Sequence, residues 1–160
     1  MNKINILKNR LSHGNVIIMD GGMGTEIMRK GEKTTLPLWS ARVILDNPEF
    51  VKRIHEDYIK AGAEIIITNT FRTTRRTFEK AEIGDRAKKA VLVACKIAKE
   101  TVKRVDPKQE VYIAGSIAPL EDCYRPDLVP NEQSLKKEHE EYTKNLKEGR
   151  VDFLLAETMN

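Results

Sequence analysis

Short runs of apolar, mostly β-branched residues alternate along this chain with longer segments in which apolar residues recur at helical spacing. Such alternation is typical of βα units, in which parallel strands are joined by helices that pack back on the sheet. Four strands are predicted, at residues 16–20, 64–68, 111–115 and 151–156. The pattern therefore predicts an α/β fold with a parallel sheet.

The segments between these strands predict one short helix and three longer ones. A tight turn after the first strand leads into a short helical piece that ends near Gly31. A longer helix is predicted to begin at Asn47 and Pro48, because a polar N-cap followed by proline suits a helix start. Two further helices are predicted at about 82–104 and 132–148, each with one apolar stripe.

Two connections depart from plain βα units. Residues 116–131 form a long irregular segment with three prolines, which makes it a candidate functional loop. Only three residues follow Glu157, so no helix is predicted to cover the last strand. We therefore expect an incomplete α/β layer, with an uncovered sheet edge unless another chain closes it.

Length and charge narrow the function classes. The chain has 160 residues, enough for one domain but short of the roughly 250 typical of a closed eight-stranded α/β barrel. The net charge is +4 without a basic stripe, which argues against nucleic-acid binding. No apolar run approaches the roughly 20 residues of a membrane-spanning helix, and the N-terminus does not resemble a secretory signal. We expect a cytoplasmic protein with neither membrane nor nucleic acid as partner.

Small and polar residues follow all four predicted strands. The segments are 20–25, 68–71, 115–119 and 157–160, with the sequences DGGMGT, TNTF, GSIAP and ETMN. The carboxyl ends of parallel strands meet at one edge of a sheet or barrel, where functional groups gather. The sequence therefore predicts one shared pocket at this edge.

The glycine-rich turn after the first strand is the most specific local feature. Glycines let the backbone approach a ligand closely, and the N–H groups of Gly22, Met23 and Gly24 at a helix start suit a carboxylate or a phosphate. The spacing fits neither the dinucleotide fingerprint nor the P-loop. A turn that needs glycine only for its backbone dihedral angles explains the pattern equally well.

The charged side chains at the strand ends each allow two interpretations. If the sheet curves into a barrel, Asp20 and Glu157 face one cavity, where they could hold an ammonium group or act as acid and base. Alternatively, Asp20 caps the following turn and Glu157 is a solvated strand exit. Arg72, Arg75 and Arg76 could bind an anion, although a solvated loop face is the expectation for them.

The histidines and cysteines predict no metal or catalytic site. His13 precedes the first strand, while His55 and His139 lie in charged helical segments, and neither of these two completes an H-E-x-x-H motif. Cys95 falls beside the apolar stripe of a helix and is expected in the core, and Cys123 in the long loop has no histidine near it in sequence. Neither cysteine belongs to a CxxC pair.

Seven short motifs together indicate more than a fold class. In chain order they are DGGMGTE at 20–26, LWSA at 38–41, NPE at 47–49, AGAE at 61–64, TNTF at 68–71, AGSIAP at 114–119 and ETMN at 157–160. In this order, and over nearly the whole chain, they closely resemble the N-terminal half of the homocysteine S-methyltransferase family.

This resemblance implies a zinc-dependent (β/α)₈ barrel, of which the chain would hold about the first four βα units. Residues 1–160 would then be the N-terminal half of a homocysteine-binding domain. Members of the family transfer a methyl group to homocysteine from a donor such as S-methylmethionine, S-adenosylmethionine, betaine or a folate, giving methionine. Zinc binds the homocysteine sulfur and favours the thiolate, which is the nucleophile.

The resemblance also implies roles for individual residues. The backbone of Gly22 and Met23 would take the carboxylate of the amino acid, and Asp20 and Glu157 would face its ammonium group. Three further positions resemble pocket walls on the donor or substrate side, namely Asn69, Thr70 and Ser116.

The zinc ligands mark the departure from the family. They are three cysteines on late barrel strands, and neither Cys95 nor Cys123 matches their positions, so no metal ligand is predicted in this chain. We therefore expect the chain to be inactive alone. Two alternatives stay open: a half-barrel that pairs with itself or a partner chain and at most binds amino acids, and an unrelated α/β enzyme whose glycine turn binds phosphate.

Overall fold

The computed structural model describes residues 3–159, so Asn160 of the ETMN motif lies outside the described residues. The helices are α1 (Lys3–Ser12), α2 (Met23–Arg29), α3 (Ala41–Asp46), α4 (Pro48–Lys60), α5 (Arg75–Glu79), α6 (Ala87–Val105) and α7 (Glu132–Glu148). The strands are β1 (Ile65–Ile67), β2 (Tyr112–Ile117) and β3 (Phe153–Ala156). Two 3₁₀ turns, Gly84–Arg86 and Pro126–Leu128, complete the regular structure of this part of the chain.

The three strands form one parallel sheet in the order β1-β2-β3. Ile66 of β1 pairs with Ile113 of β2, and Gly115 of β2 pairs with Leu154 of β3. Three of the four predicted strands are therefore confirmed, with bounds shifted by one or two residues. Because all strands run the same way, their carboxyl ends share one edge, as the sequence predicts.

The first predicted strand, residues 16–20, is wrong as a strand. The segment lies beside β1 but contributes a single bridge, between Met19 and Ile65. Its pairing is irregular, because the N–H groups of Glu64 and Ile65 both donate to the carbonyl of Ile18, at 2.8 and 3.1 Å. The next hydrogen bond between the two segments has a side-chain acceptor in place of a backbone carbonyl, since the N–H of Ile67 donates to the Asp20 carboxylate.

The longer helices follow the predicted pattern. α4 begins at Pro48 and α7 spans the predicted residues, with the Asn131 side chain accepting a hydrogen bond from the N–H of Ser134 at 3.0 Å. The helix predicted at 82–104 begins later, because a 3₁₀ turn precedes α6. Three short helices, α1, α3 and α5, have no counterpart among the predicted elements, and each is too short to show a convincing apolar period.

Alternate residues of the sheet pack on opposite faces. Ile66 and Ile113 face the layer of helices, where they pack with Ile59 of α4 and Ala98 of α6. On the other face, α1 lays Leu7 against a cluster that comprises Ile65, Tyr112 and Ala114. β1 and β2 are therefore covered on both faces, and the carboxyl edge of the sheet is left for the site. β3 is less covered, since Leu154 is 44% exposed, which agrees with the expectation that no helix packs on the last strand. Among the described residues no helix combines the length and the apolar character needed to cross a bilayer.

Candidate functional site

A cavity of about 750 Å³ opens at the carboxyl edge of the sheet. Five of the residues predicted for the site line it: Asp20, Gly22, Met23, Asn69 and Glu157. The wall also contains residues outside the set predicted to bind substrate, namely Leu36, Trp39, Phe71, Arg72, Asp122, Cys123 and Tyr124. The shared pocket predicted from the strand ends therefore exists, and it brings together residues 20–25, the loop after β1, the loop after β2 and the end of β3.

Asp20 is held by the irregular pairing of the segment in front of it. Its Oδ2 accepts the N–H of Ile67 at 2.9 Å, while Oδ1 is buried and has no hydrogen-bond partner among residues 3–159. Burial, opposed by the hydrogen bond from Ile67 and reinforced by the negative charge of Glu157, raises the pKa of Asp20 to about 7. Oδ1 of Asp20 is therefore an unused hydrogen-bond acceptor in this part of the chain.

Glu157 follows β3 directly. Its N–H donates to the carbonyl of Ile117 at 2.9 Å, which continues the β2–β3 ladder by one bond and fixes the backbone. Its side chain accepts a hydrogen bond at Oε2 from the hydroxyl of Ser116, 2.6 Å away. Since both Glu157 and Asp20 line the cavity and the charge of one raises the pKa of the other, the two carboxyl groups are electrostatic neighbours.

Thr70 and Ser116 lie behind the cavity wall and not in it. Both are fully buried, and the Thr70 hydroxyl donates to the carbonyl of Ser116 at 2.9 Å. The hydroxyl of Thr68 accepts the N–H of Ser116 at 3.2 Å, and the phenol of Tyr142 donates to the carbonyl of Thr70. These hydrogen bonds join the end of β2 to the end of β1. They thereby position the Ser116 hydroxyl that donates to Glu157.

The glycine turn owes its composition to close packing. Gly21 and Gly24 both have ordinary φ values, and the φ of Gly22 is −65°. A Cβ on Gly24 would overlap the indole of Trp39, and one on Gly21 would lie 2.9 Å from the hydroxyl of Tyr58. The interpretation that glycine serves only the backbone dihedral angles therefore does not hold here.

The three arginines after β1 take different positions. Arg75 pairs with Glu141 of α7, and Arg76 pairs with Glu138 of α7. Both are therefore surface ion pairs that fasten α5 to α7, which agrees with the expected solvated loop face. Arg72 differs, because it lines the cavity and lies 3.9 Å from a carboxylate oxygen of Asp122.

Trp39 is an aromatic wall residue to which the sequence analysis assigned no role. It lies in the turn before α3 and its ring covers Gly24, so it joins the first turn to the LWSA motif. Asn69 supports the same wall, since its amide nitrogen donates to the carbonyl of Ser40 at 2.9 Å. The LWSA motif itself was the available sequence signal for these contacts.

The thiols and carboxylates described here do not fit a zinc site. Within residues 3–159 no group of three or more His, Cys, Asp and Glu side chains could hold a metal ion. Cys95 is a core residue of α6, as expected, and burial raises the pKa of its thiol to about 11. Cys123 lines the cavity wall, but no second thiol lies there.

Several known proteins similar to this chain are homocysteine S-methyltransferases. A family model described as homocysteine S-methyltransferase matches residues 17–160. A homocysteine S-methyltransferase of Escherichia coli is 28% identical over 170 residues, covering 99% of this chain and 55% of that protein. Homocysteine S-methyltransferase YbgG of Bacillus subtilis is 31% identical over 159 residues, covering 90% of this chain and 50% of that protein. The chain thus spans about half the length of these relatives.

A solved structure shows the same arrangement of elements. The homocysteine methyltransferase MmuM from Escherichia coli, in its metallated form, superposes with a TM-score of 0.84 and 26% sequence identity. The match covers 96% of this chain and 57% of that one. The three-stranded α/β structure described here therefore corresponds to about half of a TIM-barrel-type enzyme. With the family model matching most of its length, the chain belongs to the homocysteine S-methyltransferase family.

Proposed function

We propose that this chain supplies the homocysteine-binding part of a homocysteine S-methyltransferase. The observation that carries the proposal is the meeting of two carboxyl groups, Asp20 and Glu157, with the glycine turn in one cavity. Carboxylates suit an ammonium group, and free backbone N–H groups suit a carboxylate. The cavity is therefore complementary to the head group of an α-amino acid.

In this proposal each residue has one task. The ammonium group of homocysteine lies between Asp20, whose Oδ1 lacks a partner, and Glu157. Its carboxylate accepts hydrogen bonds from the N–H groups of Gly22 and Met23, which stand at the start of α2 without an acceptor inside the helix. Asn69 forms the adjoining wall. Thr70 and Ser116 act from behind it, by holding the carboxylate of Glu157 in place.

The fold proposed for the family gives these residues their place. We infer that the segment 16–20 and strands β1 to β3 correspond to the first four βα units of a (β/α)₈ barrel, and that residues 1–160 form the N-terminal half of the homocysteine-binding domain. The inference is supported by the parallel order of the sheet and by the superposition on half of a barrel enzyme. Asp20 and Glu157 then occupy the carboxyl ends of the first and fourth strands, where barrel enzymes carry their functional groups.

The reaction proposed for the whole enzyme is methyl transfer from a donor to homocysteine. The bond between the donor heteroatom and its methyl carbon breaks, that heteroatom keeps the electron pair, and the thiolate sulfur forms the new S–C bond of methionine. This chain binds and orients the acceptor for that step. The thiol and carboxyl groups of residues 3–159 do not form a zinc site, so activation of the sulfur is assigned to none of these residues.

Homocysteine binding by the 160-residue chain tests the proposal. By titration calorimetry under reducing conditions, Asp20→Asn and Glu157→Gln should each weaken binding by about tenfold or more, because each removes a charge-assisted contact to the ammonium group. Glu140→Gln, an exposed glutamate of α7 paired with Lys144, is the matched control and should leave the affinity unchanged. Equal affinities in all variants would refute the assignment.

The pH dependence of binding provides a second readout. An ammonium group favours the ionised form of Asp20, whose pKa lies near 7 before binding. Homocysteine affinity should therefore rise between about pH 6 and pH 8 in the parent chain, and this rise should be lost in Asp20→Asn. A rise of the same size in both proteins would assign the titration to another group.

A further inference from the structure

Glu121 lies in the long loop after β2, and it is a carboxylate to which the sequence analysis gave no role. Its side chain is only 10% exposed. Oε1 accepts a hydrogen bond from Nη1 of Arg76 at 3.3 Å, and Oε2 pairs with the ammonium group of Lys80, the residue that follows α5. Each oxygen of this carboxylate therefore meets a cation that α5 or its end carries.

Arg76 joins the loop to a third element. Its Nε donates to Oε2 of Glu138 in α7 at 2.9 Å, on the same guanidinium that reaches Glu121. A single ion pair at a surface contributes little to stability, whereas a network of charges around an arginine with good geometry holds its members in place. The loop is therefore attached to two helices at Glu121.

α5 is a firm base for this attachment. The hydroxyl of Thr74 caps its start and accepts the N–H of Thr77 at 3.2 Å. Phe78 is fully buried and belongs to the largest core cluster, which also contains residues of α4 and α6. Because a buried aromatic ring fixes even a short helix on the core, the cations of α5 offer the loop a fixed anchor.

The residues that follow Glu121 form part of the cavity wall. Asp122, Cys123 and Tyr124 line the cavity, and residues 124–129 are exposed. Hydrogen bonds within this stretch give it its shape, since the N–H of Tyr124 donates to Oδ1 of Asp122 at 3.0 Å. Bonds within a segment do not fix its position relative to the rest of the fold. The attachment at Glu121, directly before the segment, can do so.

We propose that Glu121 is a positioning residue, which through Arg76 and Lys80 keeps the loop segment 122–124 in the cavity wall over the bound ligand. Glu121 itself is not among the described residues that line the cavity, so it acts through the segment that follows it. The inference rests on the proposed function in one respect, because homocysteine is taken as the ligand. The position of the loop can be measured without any ligand.

The reactivity of Cys123 reports that position. Its thiol lies in the cavity wall, whereas the thiol of Cys95 is buried in the core and serves as the unreactive internal reference. Alkylation by iodoacetamide, followed for each cysteine by mass spectrometry, should be about threefold or more faster at Cys123 in Glu121→Gln, because the neutral amide loses both ion pairs and the loop opens more often. Lys80→Gln removes one of the two partners, so its increase should be smaller.

Glu141→Gln is the matched control for the alkylation rate. Glu141 pairs with Arg75 and so ties α5 to α7, not to the loop, and its loss should leave the rate at Cys123 unchanged. Salt separates a charge network from simple packing. In the parent chain the rate should rise with added NaCl, because dissolved ions screen the network, and this rise should be much smaller in Glu121→Gln. A side chain that only fills space would show no such difference.

Homocysteine titration shows whether the position of the loop matters to the ligand. Glu121→Gln should weaken homocysteine binding by about threefold to tenfold, because a loop that leaves the wall no longer covers the ligand. Glu141→Gln should leave the affinity within about twofold of the parent value. Should Glu121→Gln fail to fold by circular dichroism, Lys80→Gln serves instead, because Lys80 is half exposed and its loss leaves Arg76 beside Glu121.

The outcomes distinguish this inference from the proposed function. An unchanged rate at Cys123 in the variants of Glu121 and Lys80, or an equal increase in Glu141→Gln, overturns the positioning role while homocysteine binding stands. A faster reaction of Cys123 with unchanged homocysteine affinity also overturns it, since the loop then does not cover the ligand. If the rates change as expected but the parent chain binds no homocysteine, the proposed function falls and the placement of the loop by Glu121 remains.

Discussion

Gly24 and the indole of Trp39 pack against each other in the cavity wall. Alanine at position 24 would place a Cβ inside the ring, so Trp39 or the turn must move. Gly24→Ala should therefore lower the free energy of unfolding by about 1–3 kcal/mol, which is the usual cost of overpacking. Chemical denaturation monitored by the fluorescence of Trp39, the one tryptophan of the chain, measures both the stability and the displaced ring.

Gly22→Ala is the comparison for that substitution. The new Cβ would approach only the Thr25 hydroxyl, at 2.7 Å, and that hydroxyl is the end of a side chain on the first turn of α2. Since the φ of Gly22 is also ordinary, alanine should be accommodated there at a smaller cost. Equal destabilisation by the two substitutions would show that backbone freedom, and not the indole, dictates glycine at position 24.

His55 is a buried histidine in α4 whose two ring nitrogens have no hydrogen-bond partner among residues 3–159. Burial lowers its pKa from 6.5 to about 4. Below pH 6.5 the unfolded chain binds a proton at His55 that the folded chain refuses, so stability should fall as the pH drops from about 6.5 to 4. The loss amounts to about 3 kcal/mol, and His55→Leu should remove it from a series of urea denaturation curves.

Asp20 changes the pH dependence of stability in the direction opposite to His55, so a variant at Asp20 serves as the control for the His55 prediction. Its folded pKa of about 7 lies above the ordinary 3.8, so the folded chain holds the extra proton and its contribution falls as the pH rises through that window. The two slopes partly cancel between about pH 4 and 6.5. Asp20→Asn should expose the acid-side loss due to His55, and a variant profile parallel to that of the parent would contradict this account.

Sequence reasoning reached the residues whose position follows from strand order, and it missed those that depend on tertiary contact. Asp20 and Glu157 could be assigned to one pocket because both follow segments that run to the same sheet edge. The position of Arg72 in the cavity wall could not be predicted, because Arg75 and Arg76 are the same residue type and lie within four residues of it. The three arginines differ in their tertiary partners, because Arg75 and Arg76 form ion pairs with glutamates of α7 and, among the described residues, Arg72 does not.

At the scale of elements, β2 controls the site through its last residues. Ser116→Ala should lower homocysteine affinity by about threefold to tenfold, because the carboxylate of Glu157 loses the hydroxyl that holds it. Thr143→Ala, in which the lost hydroxyl bonds only the carbonyl of Glu140 at an exposed position, is the control. Calorimetry that gives equal affinities for the parent chain and Ser116→Ala would contradict this positioning role.

The prediction of helices and strands was correct where residues at the ends of an element, such as a helix cap, specify its bounds. α7 matches its prediction because an asparagine cap begins it and Gly149 follows its last residue. The segment 16–20 has the composition of a strand, yet β1 offers it only three strand residues, and the Asp20 side chain takes the place of a backbone acceptor. Strand formation there depends on a partner that periodicity does not reveal.

For the molecule as a whole, the proposed function assigns the binding of homocysteine to this cavity and the activation of its sulfur to residues outside it. Its wall carries three carboxyl groups, Asp20, Asp122 and Glu157, against the single guanidinium of Arg72, so its net charge is negative. A negative environment disfavours a thiolate, and homocysteine bound there should keep a thiol pKa at or above the ordinary value of about 8.5. Under the proposed function, the residues described here would therefore bind homocysteine without making its sulfur nucleophilic.

This separation predicts that the 160-residue chain binds homocysteine but does not convert it to methionine. In assays with S-methylmethionine and added zinc, methionine formation measured by mass spectrometry should stay at the level of the protein-free reaction, because residues 3–159 hold no cluster that could place zinc on the sulfur. The homocysteine S-methyltransferase of Escherichia coli, which is about twice as long, is the positive control. Turnover by the 160 residues that is abolished in Asp20→Asn would show that this cavity activates the thiol by itself, and the division between binding and activation would then be wrong.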